Sequence, residues 1–176
     1  MDSSYTKELN SGYINENGAI KIDFIDGFPQ KLADEFNKTE PKLSVSQSRA
    51  IFDSVNGFYG NYTRKSISFD EVKIELSMLK SRINDKVNKG SIPQEFLDFF
   101  DKNINAVKTP DDFRAFKYHF EAVCNYLKDD KKDKNQGNNN GGYNRGGNGN
   151  GGNYGGYNRN GNNGGYNRNG NNNYRR

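Results

Sequence analysis

One cysteine, Cys124, occurs in this chain. That excludes an internal disulfide framework and leaves too few thiolates for a zinc site. One histidine, His119, is present, and no candidate nucleophile stands beside it. Tryptophan is absent, and hydrophobic residues make up 31% of the chain, low for a globular protein. No apolar run approaches the roughly 18 residues of a membrane-crossing helix, and no charged-then-apolar leader opens the sequence. The expectation is a soluble, cytoplasmic protein with no membrane partner.

Acids are missing from the last stretch. After residue 134 there are five arginines (145, 159, 168, 175 and 176) and no Asp or Glu. With those five removed from the 26 basic residues, 21 bases face 22 acids in residues 1–134, a net of −1. The formal charge of +4 and the pI near 9.0 therefore belong to the tail. Any nucleic-acid site on the body must be a local patch and not a global field. The Leu, Ile and Val residues also lie before Asp130, so the body of a 176-residue chain has a core to bury and the tail has none.

Three segments follow from this partition. Residues 1–18 are polar and rich in Asn, Ser and Gly, and little order is expected of them. Residues 19–134 read as a helical bundle. Residues 135–176 form a low-complexity tail in which GGYNR occurs at 141–145, 155–159 and 164–168. Gly and Asn bury too little apolar surface to offset backbone ordering, about 1–2 kcal/mol per residue, so the tail is expected to be disordered. Its GxGxxG at 147–152 follows no strand and opens no helix, and carries no phosphate-binding meaning.

Within the body the helical signals are strong. Ala19–Phe28 is ambiguous, because Ile20, Ile22 and Phe24 alternate while Ile20, Phe24 and Phe28 fit helical spacing. Pro29 suits a helix start ahead of QKLADEFN. Ser44-Val-Ser-Gln47 is a capping-box pattern, followed by a stripe of Val45, Ser48, Ile51, Phe52, Val55 and Tyr59. Ser68-Phe-Asp-Glu71 repeats that logic ahead of Val72, Leu76, Leu79, Ile83 and Val87, and Gly90 stops the helix. Pro93 opens a helix with Phe96, Leu97, Phe100, Ile104 and Val107 inward. Thr109-Pro-Asp-Asp112 supplies a cap hydroxyl, a first-turn proline and two acids at the positive helix end. Behind it lie Phe113, Phe116, Phe120, Val123, Cys124 and Leu127. The fold class is all-α, a small bundle of four to five helices.

Candidate chemistry is sparse. Helical projection puts His119 at the edge of the last apolar face, where one hydrogen bond would satisfy it. Cys124 falls within the stripe as an inert buried thiol. Asp111, Asp112, Asp129 and Asp130 read as helix-end acids and a solvated run. No catalytic residue, metal ligand or cofactor is assigned, and the chain is expected not to be an enzyme.

Binding residues are easier to name. In the tail, Tyr143 with Arg145, Tyr157 with Arg159, and Tyr166 with Arg168 each join a stacking face to a planar cation, a sequence-tolerant way to hold RNA. The same tail also fits a solubilising segment. On the helix from Phe69 to Asn88, Lys73 and Lys80 flank one edge of the core stripe, and Arg82, Lys86 and Lys89 flank the other. Arg49 flanks the stripe before it, and Arg64 and Lys65 fall in the connection. Ile74 and Met78 project opposite the core stripe, as a contact for a neighbouring subunit would.

Three segments carry a family resemblance: LSVSQSRAIFDSVNGFY (43–59), ELSMLKSRI (75–83) and FRAFKYHFEAVCNYLK (113–128). In order and spacing they resemble the small subunit of type III-A CRISPR–Cas effector complexes, an antiviral defence assembly. The resemblance covers about half the chain and not the tail. It implies a helical bundle present in several copies, stacked along guide RNA and target RNA in a prokaryotic cytoplasm, touching other effector subunits and doing no catalysis itself. It singles out Arg49, Lys80 and Arg82 as RNA contacts. Two other readings of the residues stand beside it: a free-standing, chaperone-like RNA binder with an RGG-like tail, and a helical protein-interaction module.

Overall fold

Hydroxyl side chains set where the three longest helices begin. The computed structural model describes residues 3–128, with helices α1 (Ser3–Asn10), α2 (Phe28–Phe36), α3 (Val45–Thr63), α4 (Phe69–Asn88), α5 (Gln94–Ala106) and α6 (Pro110–Tyr126). Ser44, Ser68 and Thr109 cap α3, α4 and α6 through full capping boxes. At α4, Ser68 Oγ accepts from the Glu71 amide at 3.2 Å while Glu71 Oε2 accepts from the Ser68 amide at 2.6 Å. Two otherwise orphaned amides are satisfied reciprocally. The end of α4 is equally local: Gly90 takes φ of 67°, and the Ser91 amide reaches back to the Lys86 carbonyl at 3.0 Å. That is a Schellman closure, which glycine enters without a Cβ penalty.

Among the described residues the fold is an all-α bundle. α3 packs on α4 and α6, α5 on α4, α2 on α6, and α1 on α5. The capped helices bury the stripes expected of them: Val72, Leu76, Leu79 and Ile83 on α4, and Phe113, Phe116, Phe120 and Val123 on α6. Aromatic contacts fill the centre, with Phe116 stacked on Phe120 at 5.9 Å and Phe120 edge-on to Phe52 at 5.8 Å.

Four details differ from the sequence reading. A sixth helix, α1, occupies the segment expected to be poorly ordered. Its Tyr5 and Leu9, with Tyr13 beyond it, are buried in the core. The ambiguous segment is neither strand nor α-helix: Ile20 makes an isolated bridge to Ile14, and Ile22–Phe24 form one 3-10 turn that buries Phe24 and leaves Ile22 exposed. α5 buries Phe99 and Asn103 as well as the expected Phe96, Leu97 and Phe100, while Ile104 is only half-buried. His119 is fully buried, not at an edge, and makes two hydrogen bonds instead of one.

Those two bonds belong to a buried polar hub that explains α1. Tyr5 and Tyr13 hydroxyls both donate to Asn103 Oδ1, at 2.8 and 2.6 Å. Asn103 Nδ2 donates to the Phe99 carbonyl at 2.6 Å, which fixes the amide's orientation. His119 Nδ1 lies 2.7 Å from the Phe24 carbonyl, so that nitrogen carries the proton, and Nε2 faces the Tyr5 hydroxyl at 3.1 Å. Tyr5 thus serves two acceptors with one proton. Burial pushes the Tyr13 phenol well above its ordinary range, so both rings stay neutral donors.

Burial lowers the pKa of His119 to about 4, partly opposed by the Phe24 carbonyl. The folded chain therefore holds His119 neutral where the unfolded chain protonates it. Stability from this group is complete above about pH 6.5 and declines as pH falls towards 4, by up to about 3 kcal/mol. Denaturant unfolding at pH 7 and pH 5 checks this: His119→Gln should lose less stability between the two than the wild type. Equal losses would place the acid sensitivity elsewhere.

Candidate nucleic-acid interface

α4 sits between α3 and α5, so its core stripe faces inward and the opposite face stays open. Ile74 is 59% exposed and Met78 49% exposed on that face. With Lys73, Ser77 and Ser81 they line a shallow depression of about 420 Å³. The apolar pair thus stands where the projection placed it.

The cations fall into two groups. Some are already engaged. Lys80 on α4 donates to Asp101 of α5 at 2.5 Å, tying the two helices together. Lys73 donates to Asp70 at 2.9 Å and lies 4.8 Å from the Phe69 ring centroid. Lys89 pairs with Asp85 at 2.6 Å, and the Arg64 guanidinium donates to Asn61 Oδ1 at 2.8 Å. All are partly exposed, and such pairs contribute about 1 kcal/mol or less, so they yield readily to a stronger anion. By contrast, the side chains of Arg49, Lys65, Arg82 and Lys86 are exposed, with no hydrogen-bond or ion-pair partner among the described residues.

These positions do not form one patch. Lys73 and Lys80 face α5. At 100° per residue Arg82 lies 200° around α4 from Lys80, on the α3 side. Arg49 is on the flank of α3 nearest α6, where its charge, opposed by those of Asp53 and Glu121, acts on Cys124. Cys124 is buried, and desolvation pushes its thiol up to about 11, which keeps it protonated and unreactive. Among the described residues, no group of three His, Cys, Asp or Glu side chains could hold a metal ion, and no helix is long and apolar enough to cross a membrane. The tail candidates Tyr143, Arg145, Tyr157, Arg159, Tyr166 and Arg168 lie outside the described residues.

Two cations were missed by the sequence reading. Lys108, beyond α5, lines the depression that Lys73 also lines, and Lys102 on α5 lines the next one, between α5 and the end of α1. Their signal is weak in one dimension, because nothing in the α5 stripe alone says that its flank meets the lysine edge of α4. A second open apolar group was missed too. Ile22 is 70% exposed, and Tyr118 and Tyr126 on α6 are about two-fifths exposed.

Lys65 is the one non-glycine residue with positive φ among those described, at 58°. It closes α3 as Gly90 closes α4, with the Ser66 amide bonded to the Asn61 carbonyl at 2.9 Å. A side chain there costs about 1–2 kcal/mol relative to glycine. Lys65→Gly should accordingly raise the denaturation midpoint by about 1 kcal/mol equivalent, a gain that chemical unfolding would register directly. No gain would mean that the Lys65 side chain holds the turn in a compensating way.

A family model described as Csm2 Type III-A matches residues 22–133. No curated protein and no solved structure matches.

Proposed function

The chain belongs to the Csm2 Type III-A family and is a structural subunit of the type III-A CRISPR effector complex; from that premise we propose that it is a non-catalytic, RNA-binding subunit that stacks in several copies along guide and target RNA in the cytoplasm. The observation that carries this reading is the open face of α4. One helix presents an uncovered apolar pair, Ile74 and Met78, between two edges that bear Lys73 and Lys80 on one side and Arg82 and Lys86 on the other. A subunit that must touch a copy of itself and a polyanion together needs that combination. Arg49, Arg64 and Lys65 stand apart from that face, Arg49 near the start of α3 and the other two just beyond its end.

The second apolar group supports stacking. α4 packs on α3 and α5, whereas Tyr118 and Tyr126 sit on α6, which packs on α2 and α3. Two apolar surfaces on different sides of one subunit suit a head-to-tail array, since heterologous contacts propagate without closing.

The direct test replaces Ile74 and Met78 by Asp in the full chain. Both side chains are open, so stability should change by about 0.5 kcal/mol or less, while the number of copies in the reconstituted effector complex, read by native mass spectrometry, should fall. Unchanged copy number would show that α4 does not carry the contact.

The tail has its own expected outcome. Its five arginines neutralise at most five phosphates, which adds up to about 3.5 to the slope of log affinity against log salt on single strands. A chain ending at Lys134 should bind single-stranded RNA with a shallower slope and an unchanged helical spectrum. Replacing the tail tyrosines by Ser should lower affinity with little change in slope, because stacking releases no counterions. Equal affinity and slope for full and shortened chains would assign the tail to solubility.

A further inference from the structure

Two adjoining depressions run along the junction of α4 and α5, and a third continues beyond them between α5 and the end of α1. The first, about 290 Å³, includes Lys80, Asn84 and Asn105 in its lining. The next, about 280 Å³, includes Lys73, Asn105 and Lys108. The third, about 340 Å³, turns towards the end of α1 and includes Lys102, Asn105 and Lys108. Asn105 lines all three, so they form one continuous groove. At 1.5 Å per residue the part along α4 from Lys73 to Asn84 spans about 16 Å.

The groove's lysines outnumber its acids by one, and the acids have their own partners. Four lysines face three acids, Asp70, Asp101 and Asp112, and each acid is already bonded. Asp101 Oδ1 accepts from Lys80 at 2.5 Å and from Asn105 at 3.1 Å. Asp112 Oδ2 accepts from the amides of Lys108 and Thr109 and from the Thr109 hydroxyl, at 2.9–3.1 Å. Asp70 holds Lys73. Lys108 Nζ has no partner among the described residues, and Lys102 Nζ meets only the Thr6 hydroxyl, at 3.5 Å. The groups left free along the groove are mainly donors: two ammonium groups, the Ser81 hydroxyl and the Asn84 amide, while the Ser77 hydroxyl donates to the Lys73 carbonyl at 2.9 Å. Its floor is aliphatic, from Leu76, Leu97 and Ile104, and among the described residues no aromatic ring lines it.

We infer that this α4/α5 groove, with its extension towards the end of α1, is a seat for the phosphodiester backbone of a single-stranded RNA, with Lys108 and, in the extension, Lys102 as its principal phosphate contacts and Lys73 and Lys80 recruited as their ion pairs open. The inference rests on the RNA-binding reading above and assigns it a place. Donors without stacking rings hold phosphates and riboses, not bases, so the contact is independent of sequence. An acidic peptide would meet the same charges, but an extended strand with an anion on every residue matches donors distributed along the whole groove.

The test uses the full chain and a labelled single-stranded oligouridylate. Lys102→Gln with Lys108→Gln should reduce the salt slope by up to about 1.4, at about 0.7 per phosphate contact. Between 50 and 200 mM salt the wild type would then lose about sevenfold more affinity than this variant. Lys38→Gln with Lys128→Gln, beyond α2 and α6, should leave the slope unchanged. Lysine acylation of the wild type needs no variant: RNA should protect Lys102 and Lys108 and leave Lys38 and Lys128 reactive, and Lys102→Arg with Lys108→Arg should restore binding. If the wild type binds RNA but the groove lysines stay reactive and their removal matches the control, the groove is overturned while RNA binding itself stands. Protection by oligoglutamate and not by RNA overturns it in favour of a peptide. If the wild type binds no RNA, the broader reading fails and the groove with it.

Discussion

The Asn103 side chain ties together parts of the chain that lie far apart in sequence. Its Oδ1 receives the hydroxyls of Tyr5 and Tyr13, and its Nδ2 is held by its own helix at Phe99. Through Tyr5 the hub reaches His119 on α6, and through His119 the Phe24 carbonyl of the 3-10 turn. A buried amide or phenol without partners costs about 1–3 kcal/mol, so the groups are mutually required: each makes the burial of the others tolerable. The rings of Phe24, Phe28 and Phe99 pack around the same centre. Such networks are stringent because partial satisfaction is worse than an apolar core. The result here is that a polar N-terminal segment acquires one docking position.

That closure directs what remains open. With α1, the 3-10 turn and α2 arranged on α5 and α6, no further element among the described residues is packed over the outer face of α4. Its inner stripe is complete and its outer face carries Ile74 and Met78. An isolated exposed apolar residue means little; two on adjacent turns, bordered by cations on both helix edges, make a surface with a direction. The groove beside α5 has the same origin. It lies where α4 and α5 diverge above their shared core, and α1 closes one end of it.

How much of this was legible in the sequence depends on the range of the interaction. Capping boxes, the Gly90 stop and the apolar stripes of α3, α4 and α6 are contained within a few residues, and they appear as read. The projection of Ile74 and Met78 away from the core is equally local. The hub is not: Tyr5 meets partners 98 and 114 residues away, and the polar residues around it give no stripe that would reveal it. His119 looked like an edge position because projection uses only α6 and knows nothing of Tyr5 or Phe24 lying across it. The same reasoning treated all flanking cations alike. It could not separate Lys80, tied to Asp101, from Arg82, which lacks a partner among the described residues, nor bring Lys102 and Lys108 to the edge of α4.

Charge shows how a near-neutral body can still favour a polyanion. Two of its acids serve backbone amides at helix starts. Glu71 and Asp112 complete capping boxes, and hydrogen bonds from the Ser68 amide and hydroxyl hold the Glu71 carboxyl below its usual range. Glu8 is held down in the same direction by the bond from Lys21. Glu71 and Asp112 are turned towards their own helix starts, while Glu8, in the last turn of α1, is tied to Lys21. Lysine and arginine heads instead extend on flexible stems and make only weak exposed pairs. Near-equal numbers of the two signs therefore need not cancel locally: some acids are engaged at helix caps or in ion pairs, while Arg49, Arg82, Lys86 and Lys108 have no side-chain partner among the described residues. A net of −1 over residues 1–134 is thus compatible with local cationic edges along α4, and the directional placement of charge, not its sum, decides which partner the surface suits.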